Sequence, residues 1–188
     1  MRGRARRTSG TDAASAGPAA PLPAGRVLVV GMGNTLRGDD AAGVLAARRI
    51  RSAALPGVEI LEAGGALTEL LDAWAAHEHV VLIDAVASGA RPGTIHRLAV
   101  SEGPVPAELR QHSTHGMGVA DAIELARAMR RLPARVMVYG IEGDCFDPGA
   151  PVTPAVRRAS AKVAGRILRD LACPSAPPRA PEPAVPDA

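Results

Sequence analysis

Apolar runs punctuated by glycine divide this chain into alternating strands and helices. Residues 26–30 (RVLVV) form a short β-branched run that stops at Gly31, the pattern of a strand covered on both faces. From Asp39 to about Ser52 the period lengthens to that of a helix, with Val44, Leu45 and Ile50 on one side and Asp39 or Asp40 suited to its N-terminus. Residues 58–62 (VEILE) read as a second strand, closed by Gly64-Gly65, and Leu67, Leu70, Leu71 and Trp74 have helical spacing within 67–76. Residues 79–84 (HVVLID) are a third apolar strand, ending in a carboxylate.

Beyond a turn at 88–93, residues 94–100 alternate like a strand that pairs antiparallel at a sheet edge. A loop through Gln111-His112-Ser113-Thr114-His115 leads to a helix over about 118–131, and residues 135–141 (RVMVYGI) form another buried strand. A long loop over 142–153 precedes a last helix that starts at Pro154, where proline is well accommodated, and runs to about Leu171. This order predicts an α/β fold in three layers. A mostly parallel, twisted sheet of about five strands carries helices on both faces, in the phosphorylase/hydrolase-like manner.

Residues 1–25 and 172–188 are rich in Pro and Ala without apolar periodicity, so they are expected to be a disordered basic arm and a disordered tail flanking one domain over 26–171. This partition changes the meaning of the net charge of +3. Arg2, Arg4, Arg6 and Arg7 against Asp12 place all of it in the first 25 residues, while 26–171 carry 17 basic and 16 acidic side chains. Such a balance lacks the cationic excess that neutralises phosphates, and Trp74, Tyr139 and Phe146 are the only aromatics available for stacking on bases. Nucleic acid is therefore excluded as a first expectation. Two cysteines, Cys145 and Cys173, cannot make a disulfide scaffold, no run approaches a membrane span, and the basic start lacks an apolar h-region. A cytoplasmic protein without a membrane partner is expected.

In an open parallel sheet, ligands gather at the carboxyl ends of the strands. There the first strand is followed by Asn34 and Asp39-Asp40, the third ends in Asp84, and His115 precedes a helix. Either aspartate of the pair could cap its helix, and capping needs only one of them. A carboxylate at the end of an apolar strand is costly to desolvate without a partner, which favours a functional Asp84. His77, His79, His96 and His112 are read as ordinary solvated or capping groups. Gly31-Met32-Gly33 with Glu62 at the next strand end invites a Rossmann nucleotide reading. Leu36 at the third glycine position, and two carboxylates where a pyrophosphate would lie, count against it.

The run Gly31-Met32-Gly33-Asn34-Thr35-Leu36-Arg37-Gly38-Asp39-Asp40-Ala41-Ala42-Gly43 resembles the N-terminal signature of nickel-iron hydrogenase maturation proteases. Ile83-Asp84-Ala85, Pro92-Gly93-Thr94, Ser113-x-His115 and Tyr139-Gly140-Ile141-Glu142 follow in matching order, so that the likeness spans about residues 27–170. The resemblance implies an endopeptidase, aspartic-type or metal-dependent, that removes a C-terminal extension from the hydrogenase large-subunit precursor after nickel insertion. It places the metal-contacting and catalytic groups on Asp40, Asp84 and His115; in many members the first of these is Glu. Substrate contacts then fall to Asn34, Gly31, Gly33 and Glu142, although a tight turn alone accounts for the glycines. No tightly bound cofactor is implied. Nickel is met in the substrate, and zinc or cadmium could substitute on two carboxylates and an imidazole. The implied partner is the precursor, and the protein itself is expected to be monomeric. A non-proteolytic, metal-sensing assembly chaperone would use the same residues.

Overall fold

The computed structural model describes residues 26–64, 67–74, 76–100 and 119–172. The arm at 1–25, the tail beyond Ala172 and the stretch containing Ser113 and His115 lie outside the described residues. The apolar runs become strands β1 (Val27–Met32), β2 (Val58–Ala63), β3 (His79–Val86), β4 (Ile95–Ala99) and β5 (Arg135–Glu142). Between and after them run α1 (Ala42–Arg51), α2 (Leu67–Trp74), α3 (Val119–Ala128) and α4 (Pro154–Ala172). The strands form one sheet in the order β2-β1-β3-β5-β4. β1 pairs in parallel with β2 and β3, and β3 with β5, while β4 closes the edge antiparallel to β5 as its alternating pattern predicts.

The two-residue period of the strands separates two cores. Leu28, Val30, Leu82 and Val138 point to one face, where Leu70, Trp74 and Ile123 of α2 and α3 cover them. Val29, Val81, Ile83 and Ile141 point to the other, against Ile50 of α1 and Val156, Val163 and Ile167 of α4. A helix layer on each side is what allows β1, β3 and β5 to be continuously apolar.

Three boundaries differ from the sequence expectation. The helix expected from Asp39 begins at Ala42, after a 3-10 turn over Gly38–Ala41, and neither start carries a side-chain cap. β3 continues past Asp84 to Val86, where Val86 is still paired with Glu142. α3 stops at Ala128 because Arg130 takes a left-handed conformation, φ 55°, so that the Arg131 N–H donates to Ala126 O at 2.8 Å and the Arg130 N–H to Arg127 O at 3.0 Å. These two bonds are a Schellman closure, usually made at glycine.

His79 opens β3 and is buried, and its Nδ1 has no hydrogen-bond partner among the described residues. Burial, reinforced by the Arg135 guanidinium, pushes its imidazole below the ordinary value. The unfolded chain therefore takes up a proton at His79 before the folded one does. Stability from this residue is complete above about pH 6.5 and is lost as pH falls through the lower folded value. We expect His79→Gln to flatten the decline in unfolding free energy between pH 7 and 5, by at most about 1.4 kcal/mol per pH unit. Urea titrations across that range check this, and identical slopes for both proteins would refute it.

Candidate active site

The order β2-β1-β3 reverses the direction of sheet growth at β1, so the crevice beyond the carboxyl ends of β1 and β3 is a topological switch point. Both aspartates of interest reach it. The β1–β3 ladder ends at Gly31 opposite Ile83, which leaves Asp84 one residue beyond it, half-exposed, with its Oδ1 accepting the Ala85 N–H at 2.8 Å. Asp40 sits in the 3-10 turn, which packs on β3. It is 1% exposed, and its Oδ2 accepts the Asn34 N–H at 2.8 Å.

Glycines bring these groups together. A Cβ at Gly43 would collide with the backbone of Met32 and Ile83, and one at Gly31 with Ala47 and the Gly43 carbonyl, so α1 lies almost directly on β1. Gly33 has φ +122°, and a Cβ there would overlap the Asp40 carbonyl. Gly31 and Gly33 thus serve close approach of backbone to backbone, which accounts for both without a substrate. Asn34 adds a second constraint, since its Oδ1 accepts the Leu36 N–H at 2.9 Å. The Gly149 N–H donates to Leu36 O at 2.7 Å, and the leucine side chain is left 73% exposed at the rim.

The neighbouring aspartate has a different task. Asp39 is completely buried, and its Oδ2 accepts the Asp144 N–H at 3.0 Å, the Cys145 N–H at 3.2 Å and the Thr153 hydroxyl at 3.0 Å. Its Oδ1 takes the Thr153 N–H at 2.7 Å. Asp39 therefore fastens the loop after β5 to the turn after β1. Cys145 takes part through its backbone, and its thiol donates to Asp147 Oδ2 at 3.8 Å.

Glu142, expected to contact substrate, is engaged within the fold. It is 1% exposed and faces inward. Oε1 accepts the N–H groups of Gly89 and Ala90 at 2.8 and 3.1 Å, and Oε2 meets the Ser88 hydroxyl at 2.7 Å and His96 Nε2 at 3.2 Å. Its carboxylate shapes the turn after β3. Glu62 is likewise engaged, by Arg48 at 2.9 Å and by Arg51. Arg48, hydrogen-bonded to it, and Arg51 hold its carboxyl below the ordinary range. A ribose-binding acid is thereby removed, and the turn where a pyrophosphate would sit is filled by Asp39 and Asp40. Among the described residues no three His, Cys, Asp or Glu side chains gather to hold a metal ion. His115, the expected third member, lies outside them.

Fold and site together define a doubly wound α/β protein with an acidic switch-point crevice. The family model described as hydrogenase maturation protease matches residues 45–170. The hydrogenase expression/formation protein HupD of Rhizobium leguminosarum bv. viciae is 32% identical over 158 residues, covering 81% of this chain and 78% of that protein. The hydrogenase 2 maturation protease of Escherichia coli strain K12 is 33% identical over 150 residues, covering 78% and 90%. The structure of the hydrogenase maturating endopeptidase HybD from E. coli superposes with a TM-score of 0.65 at 30% identity, over 78% of this chain and 92% of that one. The chain belongs to the hydrogenase maturation protease family, and so to the peptidases.

Proposed function

We propose that this peptidase removes the C-terminal extension of a nickel-iron hydrogenase large-subunit precursor after nickel insertion, and that Asp40, Asp84 and His115 contact the nickel held by that substrate. The observation that carries the reading is the placement of Asp40, in a turn packed on β3, and of Asp84, one residue past the β1–β3 ladder, at the same switch-point edge of the sheet, in a chain of this family. His115 lies outside the described residues and enters the proposal through the family resemblance and the position of the helix that follows it in sequence. α3, which it precedes by four residues in sequence, returns the chain to the start of β5, so the first turn of α3 lies toward the edge that holds the crevice.

Two carboxylates and an imidazole without a thiolate are a borderline donor set suited to weak contact with nickel, zinc or cadmium. Weak contact favours recognition of a metal already bound elsewhere. Bound nickel would supply Lewis acidity near the scissile carbonyl. The chain's own contribution is to orient the tail between the loop of Asn34 and the loop fastened by Asp39. It also places a carboxylate where it can take a proton from the attacking water. The expected setting, a cytoplasmic monomer with no tightly bound cofactor, belongs to the same reading. None of the described helices is long and apolar enough to cross a membrane.

Co-expression with a nickel-loaded large subunit, followed by mass spectrometry, tests this. The subunit is expected to lose its C-terminal peptide only when the protease is present. A tight complex with a subunit of unchanged mass would instead identify a chaperone.

A further inference from the structure

The near-zero charge of residues 26–171 conceals a separation of charge between the two helix layers. α1 and α4 lie side by side on one face of the sheet, joined where the Ser160 hydroxyl donates to Ala42 O at 3.0 Å. Arg48 and Arg51 on α1 are paired with Glu62. Six more cations on these two helices, Arg49, Arg157, Arg158, Lys162, Arg166 and Arg169, are exposed and meet no carboxylate among the described residues. The one acid on either helix, Asp170, lies 3.8 Å from Arg97 of β4. On the opposite layer two of the three cations at the end of α3 are matched, Arg127 at 3.6 Å from Glu124 and Arg131 at 3.8 Å from Asp72, and Arg130 alone meets no carboxylate among the described residues.

The pattern has a direction. Val156, Ala159, Val163, Ala164 and Ile167 turn α4 toward the sheet. At 3.6 residues per turn, Arg158, Lys162, Arg166 and Arg169 then fall in a stripe on the far side. A coat serving only solvation needs no single sign, and like charges at this spacing repel one another. An unmatched single-sign surface is suited to steering an oppositely charged partner.

We propose that the α1/α4 face is an electrostatic docking surface for an acidic patch on the folded body of the hydrogenase large-subunit precursor, an inference that rests on the function proposed above. Trimming a tail from a folded protein requires the rest of that protein to lie against a flank of the crevice. A specific contact of about 800 Å² per partner extends well beyond a few rim loops. The stripe adjoins the rim, because α4 starts directly after Thr153, which is bonded to Asp39, the neighbour of Asp40. From there α4 runs for about 28 Å. A membrane fits less well: the exposed large hydrophobics among the described residues are Leu36, Leu125 and Met129, and none is on α1 or α4 to insert into lipid. Nucleic acid fits less well too, since Trp74 and Tyr139 are buried and the partly buried Phe146 lies off α1 and α4, so the face offers no stacking platform.

The test is stopped-flow association of the full-length protein with nickel-loaded precursor, at low and at physiological salt. The parental on-rate is expected to fall steeply with ionic strength. A triple variant, Arg158→Glu, Lys162→Glu and Arg166→Glu, should associate at least tenfold more slowly at low salt and lose most of the salt dependence, with its Tm and the cleavage rate of the saturated complex unchanged. The corresponding glutamine triple should fall between, which guards against a folding defect in the charge reversal. Equal on-rates and salt slopes in all three, with cleavage intact, overturn the docking face and leave the function standing. No binding or cleavage by the parental protein overturns both. Anionic vesicles or duplex DNA that bind the parental protein and not the triple variant, with precursor association unaltered, reassign the face to a membrane or to nucleic acid.

Discussion

Asp40→Asn is expected to slow processing of a nickel-loaded precursor by at least about 100-fold while leaving Tm within a few degrees of the parental value. The separation of the two effects follows from the geometry. Asn34 donates its backbone N–H to Asp40 Oδ2, and an asparagine at 40 still offers a carbonyl oxygen to that donor, so the turn is retained. What is lost is the carboxylate at the switch point, which the proposed function uses either to meet nickel or to accept a proton. Asp84→Asn should act in the same way, since Asp84 is half-exposed at the end of the β1–β3 ladder and supports little of the core. Asp40→Glu should stay within about tenfold of the parental rate, because the charge is kept and only its reach changes. Mass spectra of the precursor over time, with thermal melts of each variant, give both quantities. Parental processing rates in folded Asp40→Asn and Asp84→Asn would remove the two carboxylates from the reaction.

Much of the fold was readable because its signals are local. Val80, Val81, Leu82 and Ile83 in sequence can hardly be other than a strand covered on both faces, and Thr94 to Val100 alternates as an edge strand does. The end of α3 was less visible, since nothing about Arg130 announces the left-handed conformation that closes the helix. The site divides along the same line. The placement of Asp84 followed from strand periodicity and the rule for open sheets. Asp39 and Asp40 are identical neighbours, and only partners more than a hundred residues away, at Asp144, Cys145 and Thr153, show that the first is a fastener. The surroundings of Glu142 are hidden from the sequence for the same reason. This residue closes an apolar strand as Asp84 nearly does, but its four donors come from a turn and an edge strand some fifty residues earlier. The charged face is the converse case, because a sum over the sequence cancels what the two helix layers keep apart.

Asp39→Ala should cost about 3 kcal/mol of unfolding free energy, the largest stability effect expected of any polar substitution in this site. One buried carboxylate here satisfies three backbone N–H groups and a hydroxyl. Its removal leaves those part-buried donors without their acceptor. With domain stabilities of roughly 5–15 kcal/mol and a shift of about 2–4 °C per kcal/mol at this size, Tm should fall by roughly 6–12 °C. Thr153→Val gives the graded control. It removes one of the four bonds and the hydroxyl that accepts the Val156 N–H at 3.4 Å at the start of α4, and leaves the Thr153 N–H donating to Oδ1, so a loss of about 1–2 kcal/mol is expected. Activity should follow the loop and not the charge: with residues 143–153 released from the turn after β1, one wall of the crevice loses its register with Asp40. Amide hydrogen exchange should therefore rise first at Asp144, Cys145 and Thr153 in Asp39→Ala, before any change in β1 or β3. Exchange that rises equally across β1, β3 and the loop would show that Asp39 supports the whole sheet, and that the crevice wall is not an independently fastened element.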